Sequence, residues 1–223
     1  VAQIAEELFL LLVDNASGDP GLDDSRRAHA LAAATLLDMA HACRVRPSVD
    51  GEPVPPGRLV ALDAAGPADP LTAPALAYVQ KAPRRPGRAI KALGASTERL
   101  IAEHLERTGQ IRRITERAGA LRRRTRTSPT DRRRVGPARD AIMASLFERR
   151  PPIAPTAAII TVLHAVDGLG ALLSLNDRGW RWVHARAGEI ASGSWLDESP
   201  TGLADVNMAV TASAVRQALA GLT

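Results

Sequence analysis

The sequence predicts a mainly α-helical protein built as a single domain. Three observations carry this. Alanine and leucine dominate an apolar fraction of 45%, while aromatics supply only 3%, and both dominant residues are strong helix formers. Apolar residues recur at three- and four-residue spacing in one segment after another, which is the helical period. The length of 223 residues suits one domain with a substantial core.

The elements follow in order. Residues 2–13 read as a helix with Ile4, Leu8, Leu11 and Leu12 on one side. Asn15–Gly21 is rich in turn formers, and Asp24 or Ser25 can cap the next helix, which runs to about Cys43. Arg44–Val49 and Arg58–Asp63 read as short strands around a Gly/Pro loop. Asp69-Pro70 starts a helix over about 70–80, and Pro83–Pro86 ends it. A short basic helix then covers Gly87–Leu93. Ser96 caps an amphipathic helix to Thr108 with Leu100, Ile101 and Leu105 inward, and Gly109 stops it. Gln110–Thr115 and Ala120–Thr127 flank Glu116–Gly119 as a hairpin, about 110–127, with arginine-rich arms. Further helices fit Pro137–Arg149, Thr156–Val166, Leu169–Leu175, Trp180–Ala191 and Asp205–Ala220.

Charge is polarised along the chain. Fourteen arginines lie between Arg107 and Arg150 against four acids, so this segment carries +10 while the whole chain carries +5. Lysine is confined to Lys81 and Lys91, so the positive charge comes as planar guanidinium donors suited to phosphate. Such a segment is an electrostatic footprint for a polyanion, either nucleic acid or an anionic membrane surface. No apolar stretch approaches the ~20 residues of a membrane span. Glu6 and Glu7 precede the first apolar run, which therefore does not read as a signal peptide. Any membrane contact is expected to be peripheral, on a cytoplasmic protein. The single cysteine, Cys43, excludes an internal disulfide and reads as a buried thiol in a reducing compartment.

The ordered elements resemble a known family. Glu6-Glu7-Leu8-Phe9-Leu10-Leu11-Leu12 opens the series, and Leu36-Leu37-Asp38-Met39-Ala40 precedes Arg44-Val45. Gly66-Pro67-Ala68-Asp69-Pro70-Leu71 follows, then Glu98-Arg99-Leu100 and Glu106-Arg107-Thr108-Gly109. After Arg124-Thr125-Arg126 come Leu163-His164-Ala165 and Ala185-Arg186-Ala187-Gly188-Glu189-Ile190-Ala191, leading to Trp195. In this order the chain, over nearly its whole length (1–223), resembles the Golgi phosphoprotein 3 family in its bacterial form. The resemblance implies one helical domain, a central bundle ringed by amphipathic helices with a protruding basic β-hairpin. It implies a peripheral membrane protein that binds phosphatidylinositol 4-phosphate and is not an enzyme. It also implies that the hairpin contributes to membrane contact and to self-association. Eukaryotic members in addition recruit glycosyltransferase tails, and the protein clients of a bacterial-type member are not implied.

Carried across residue by residue, the family's head-group site falls on Asp23, Ala32, Gly94 and Thr97, where the family has a tryptophan and three arginines. Other bases lie near those positions. Arg26 and Arg27 start the second helix, and Arg84, Arg85, Arg88 and Lys91 precede Gly94. With Arg122, Arg123, Arg124 and Arg126 of the hairpin, they are the candidate head-group residues of a broader, less selective anion surface. Leu121, beside the hairpin turn, is the candidate for membrane insertion, though it can equally pack on the body of the protein.

The alternatives are a nucleic-acid binder using the helix–hairpin segment, or an oligomeric scaffold. Glu98, Glu103 and Glu106 on the helix disfavour the first, since a recognition helix should not present three carboxylates to DNA. Trp180, Trp182 and Trp195 are expected in the core. His164 is read as a satisfied core histidine, and the five histidines show no ligand spacing, so neither metal nor cofactor is expected. No phosphate loop or nucleophile elbow is present, and no catalytic constellation emerges.

Overall fold

The computed structural model describes residues 3–15, 21–117, 123–198 and 201–222. Among these, eight α-helices and two antiparallel strand pairs form one mainly helical domain.

Helix α1 (Gln3–Val13) is buried on nearly every side, Glu6 included, as an all-round apolar sequence requires. Helix α2 (Asp24–His41) begins at Asp23, whose carboxylate accepts from the Arg26 amide at 3.0 Å. Asp23, not Asp24 or Ser25, is therefore the cap. The alanines Ala30, Ala32, Ala33, Ala34 and Ala40 of α2 are fully buried, because small side chains let neighbouring helices approach closely. Asp38 is buried too. Its two oxygens accept the amides of Ile4 and Ala5 at 2.9 and 3.0 Å, so α2 supplies the cap of α1. Cys43 follows the end of α2 in a left-handed conformation and is only half-buried, not the core thiol expected.

Strands β1 (Val45–Pro47) and β2 (Leu59–Ala61) pair antiparallel, with Arg46 opposite Val60. The Arg84 backbone adds to β2 through two hydrogen bonds with Leu59, at 2.7 and 3.1 Å. Helix α3 (Ala73–Lys81) starts three residues later than Asp69-Pro70 suggested. The Asp69 carboxylate accepts from Leu71 and its carbonyl from Thr72 and Ala73, so it closes a turn ahead of the helix.

Helix α4 (Pro86–Arg107) is continuous where two helices were expected. Gly94 does not break it. A Cβ there would lie 3.3 Å from that of Ala28, so the glycine is where α4 and α2 touch. The Ser96 hydroxyl donates back to Leu93 at 2.8 Å inside the helix and caps nothing. Gly109, at φ +71°, ends it as expected.

Strands β3 (Ile111–Arg117) and β4 (Arg123–Pro129) form the hairpin. Glu116 and Arg117, read as turn residues, stand in the ladder opposite Arg124 and Arg123. Helix α5 (Val135–Phe147) leads to α6 (Ala154–Ala165), which is buried from Ala154 through Leu163. The helix expected over Leu169–Leu175 shrinks to a 3₁₀ turn at Leu169–Ala171, since Gly168 and Gly170 weaken helix there. Helices α7 (Asp177–Ala191) and α8 (Leu203–Ala220) complete the domain. Of the three tryptophans, Trp195 is core and Trp180 half-buried, but Trp182 is 53% exposed, with the Arg149 guanidinium 5.9 Å from its ring. Among the described residues no helix is long and apolar enough to cross a membrane.

Candidate anion-binding surface

Folding redistributes the charge that the sequence concentrates between Arg107 and Arg150. Among the described residues, seven of those arginines meet acids, and most of the partners come from elsewhere in the chain. Arg134 reaches Glu6 at 2.5 Å, Arg132 and Arg139 reach Asp14 at 2.9 and 3.2 Å, and Arg149 reaches Glu189 at 2.8 Å. Arg113 pairs with Glu106 of α4, while Arg133 and Arg150 pair with the neighbouring Asp131 and Glu148. The segment is thus bound to acids of α1, α4 and α7. Its arginines do not simply repel one another, as a count along the chain suggests.

The candidates beside α2 are similarly engaged. Arg27 is 12% exposed and joins Glu98 of α4 at 2.7 Å and Asp24 at 2.9 Å. Arg26 is 39% exposed and bonded to Asp23 at 2.5 Å. Each partner perturbs the other: the hydrogen bonds hold the Asp23 carboxyl below its usual range and raise the Arg26 guanidinium. The positions of the expected head-group site serve the fold. Asp23 caps α2, Ala32 is fully buried, Gly94 meets Ala28 and Thr97 is buried.

A different group of bases is brought together at the start of α4. Arg84, Arg85 and Arg88 line a cavity of about 410 Å³ with Pro83 and with Arg58, from the loop entering β2. The bridge between Leu59 and Arg84 makes this juxtaposition. Arg58 is fixed in turn by its amide, which donates to Ser48 Oγ at 3.0 Å, and by its carbonyl, which accepts from the Ser48 amide at 2.7 Å. The Arg84 guanidinium lies 4.8 Å from the centre of the Tyr78 ring, and its Nε is buried without a hydrogen-bond partner. Among the described residues none of the four arginines makes an ion pair. Lys91, exposed one turn beyond Arg88, extends the same positive surface. Arg58 escaped sequence reasoning because it stands 26 positions before Arg84. Only a backbone bridge that no side-chain pattern announces brings the two together.

At the other end of α4 the hairpin carries a second basic surface. Arg112, Ile114 and Arg126 are exposed, Ile114 to 47%, and Ile114 stands opposite Arg126 in the ladder. Arg124 holds the register position two residues before Arg126, and Arg123 stands opposite Arg117. Leu121 and Arg122 lie outside the described residues.

His164 is half-buried with its Nδ1 lacking a partner, so it is not the satisfied histidine expected. Its ring lies 5.6 Å from that of His184. Burial first, then the charges of His184 and Arg216, push its pKa below the ordinary value. Among the described residues no group of three His, Cys, Asp or Glu side chains is placed to hold a metal ion.

The family model of Golgi phosphoprotein 3 (GPP34) matches residues 4–219, nearly the whole chain. No curated protein matches it.

Proposed function

This chain belongs to the Golgi phosphoprotein 3 family, and from that membership we propose that it works without catalysis, as a peripheral protein docking on anionic phospholipid membranes. The observation that carries the docking is the hairpin face on which exposed Ile114 stands opposite the exposed Arg126 and two residues from the exposed Arg112. An apolar side chain flanked by cations suits the boundary between acyl chains and acidic head groups. Each arginine near an anionic leaflet contributes about 1 kcal/mol, and burying the exposed half of an isoleucine adds roughly 1 kcal/mol. The sum describes a weak, reversible and salt-sensitive contact.

Selectivity for phosphatidylinositol 4-phosphate finds no support at the positions where the family resemblance would put it. A Gly94 pressed against Ala28 and a fully buried Ala32 hold the helices together and offer no cation. The hairpin surface is therefore one that senses charge more than head-group identity.

Vesicle co-sedimentation tests it, using neutral vesicles, phosphatidylserine vesicles and phosphatidylinositol 4-phosphate vesicles at matched charge, at low and high salt. Salt-sensitive binding to both anionic vesicles is expected, lost in Arg112→Glu/Arg126→Glu and weakened in Ile114→Ser. Binding that ignores these substitutions, or no vesicle binding at all, would remove the proposal.

A further inference from the structure

We infer that the cavity lined by Arg58, Arg84, Arg85 and Arg88 is a binding site for a phosphate monoester. The inference deepens the anionic reading but rests on other residues. Helix α4 has 22 residues and so spans about 33 Å, with this cavity at its start and the hairpin beyond its end. Each site can be right or wrong without the other.

The four side chains share a lack of acidic partners among the described residues. Every one is a permanent cation. Elsewhere in this molecule several arginines that contact the body of the fold find carboxylates, as Arg27 meets Glu98, Arg134 meets Glu6 and Arg186 meets Glu198, and Arg44 finds the carbonyls of Ala65, Gly66 and Pro67. At the start of α4 the fold gathers arginines from two separate segments and leaves them unanswered. The gathering is fixed, since both hydrogen bonds of the Leu59–Arg84 bridge and both bonds to Ser48 hold the backbone beneath these side chains. Arg84, which lines the cavity, has a buried Nε with no hydrogen-bond partner, so the fold leaves a donor of this cluster unsatisfied.

The chemistry of the ligand follows from charge and shape. Guanidinium groups pair with phosphate oxygens through parallel N–H···O bonds. Four cations call for a multivalent anion, and a phosphate monoester carries nearly two charges above its second pKa of about 6. A cavity of about 410 Å³ falls within the usual range for small ligands, with room for the phosphate and part of the group it is attached to. The helix end itself contributes little. Pro86 has no N–H, and the amides of Arg88 and Ala89 already donate to the Arg85 carbonyl. The side chains make the site.

The phosphate can come from a soluble phosphomonoester or from a lipid such as phosphatidic acid, and the experiment separates these. Thermal unfolding of the full chain is followed with increasing inorganic phosphate, against chloride at matched ionic strength, for the unsubstituted protein and for Arg58→Gln/Arg88→Gln. Phosphate is expected to raise the midpoint of the former progressively, more at pH 8 than at pH 5.5. It should leave the variant unmoved, with its affinity reduced at least about tenfold. Without phosphate the variant should melt no lower than the unsubstituted protein, because it has lost like-charge repulsion. That result would separate a binding role from a structural one. A second arm compares phosphatidic acid with phosphatidylserine vesicles at matched charge. A preference for phosphatidic acid that the variant loses assigns the site to a lipid, whereas a phosphate effect without that preference assigns it to a soluble ligand. A phosphate effect equal to that of chloride, or one retained in the variant, overturns the inference. Loss of vesicle binding in the hairpin variant alone leaves it standing.

Discussion

Two regions of this molecule hold arginine in opposite ways. Around Arg186 of α7, a guanidinium only 2% exposed is met on every side. Nη1 and Nη2 reach the two oxygens of Glu198 at 3.1 and 3.0 Å, Nη1 also reaches Glu189 at 3.1 Å, and Nε donates to the Ser145 carbonyl at 3.3 Å. At the start of α4, four arginines line a cavity, and among the described residues no carboxylate answers them. The same residue type thus acts as a brace in one place and as an open charge in the other. What differs is the partner, and partners are set by folding. A buried cation with its acids built in has its electrostatics satisfied within the chain. An accessible cluster without acids has them met by water and counterions, or by an anion that binds.

The largest effect is expected at the brace. Arg186→Ala leaves Glu198 and the Ser145 carbonyl without their donor. Because Glu198 and Glu189 keep part of their hydration, losing these charge-assisted hydrogen bonds is expected to lower stability by about 1.5–3 kcal/mol, read as a shift in the denaturant midpoint. Arg186→Met keeps most of the volume and separates lost charge from lost packing. Vesicle and phosphate binding by whatever remains folded should be unchanged. The bonds to Arg186 also hold the Glu198 and Glu189 carboxyls below their usual range. Their contribution is present above the unfolded carboxyl pKa and is lost as pH falls through the lowered folded values.

Asp38 sharpens the comparison from the acidic side. It is a buried carboxyl whose hydrogen-bond partners are the Ile4 and Ala5 amides, not an arginine. Burial dominates those two bonds and pushes its pKa up to about 7. The sign is then opposite to that of Glu198. The folded state holds the Asp38 proton more tightly than the unfolded chain, so this contribution is complete below about pH 4 and fades as pH rises through 7. The shift is worth a few kcal/mol across that window. Asp38→Asn should remove the slope, so that the stability of the unsubstituted protein relative to the variant falls from pH 4.5 to pH 7.5. A constant difference over that range would show that the two amides, not burial, govern the group.

Much of the helical architecture was legible in periodicity. The ends of α1, α2 and α8 and the stop at Gly109 lie within a few residues of where pattern and glycine put them. The failures share a physical cause. Gly94 and Ser96 resemble a helix boundary locally, yet the glycine is there for an approach to Ala28 of α2. Trp182, expected in the core, faces solvent beside Arg149. The site was legible in part. Arg84, Arg85 and Arg88 are consecutive or nearly so and were visible as a basic cluster, whereas Arg58 joins them only through the Leu59–Arg84 bridge. The net charge of the segment from Arg107 to Arg150 misled for the same reason. Its neutralising acids, Glu6, Asp14 and Glu189, lie far away in sequence.

The smallest expected effects come from two neighbours, Arg26 and Arg27, and they test whether pairing and burial decide an arginine's role. Both sit in the first turn of α2, and both were candidates for head-group contact. Arg27 is the more buried and crosses to Glu98 of α4, so Arg27→Gln is expected to cost about 1–2 kcal/mol and to leave vesicle binding intact. Arg26 is paired at the surface with a residue three positions away, where such pairs contribute little. Arg26→Gln should leave the denaturant midpoint unmoved, and the Asp23 cap of α2 still accepts the Arg26 amide. If Arg27→Gln instead lowered vesicle binding without lowering stability, the guanidinium would have to leave Glu98 to meet the lipid. An ion pair within the chain would then no longer separate a brace from an open charge.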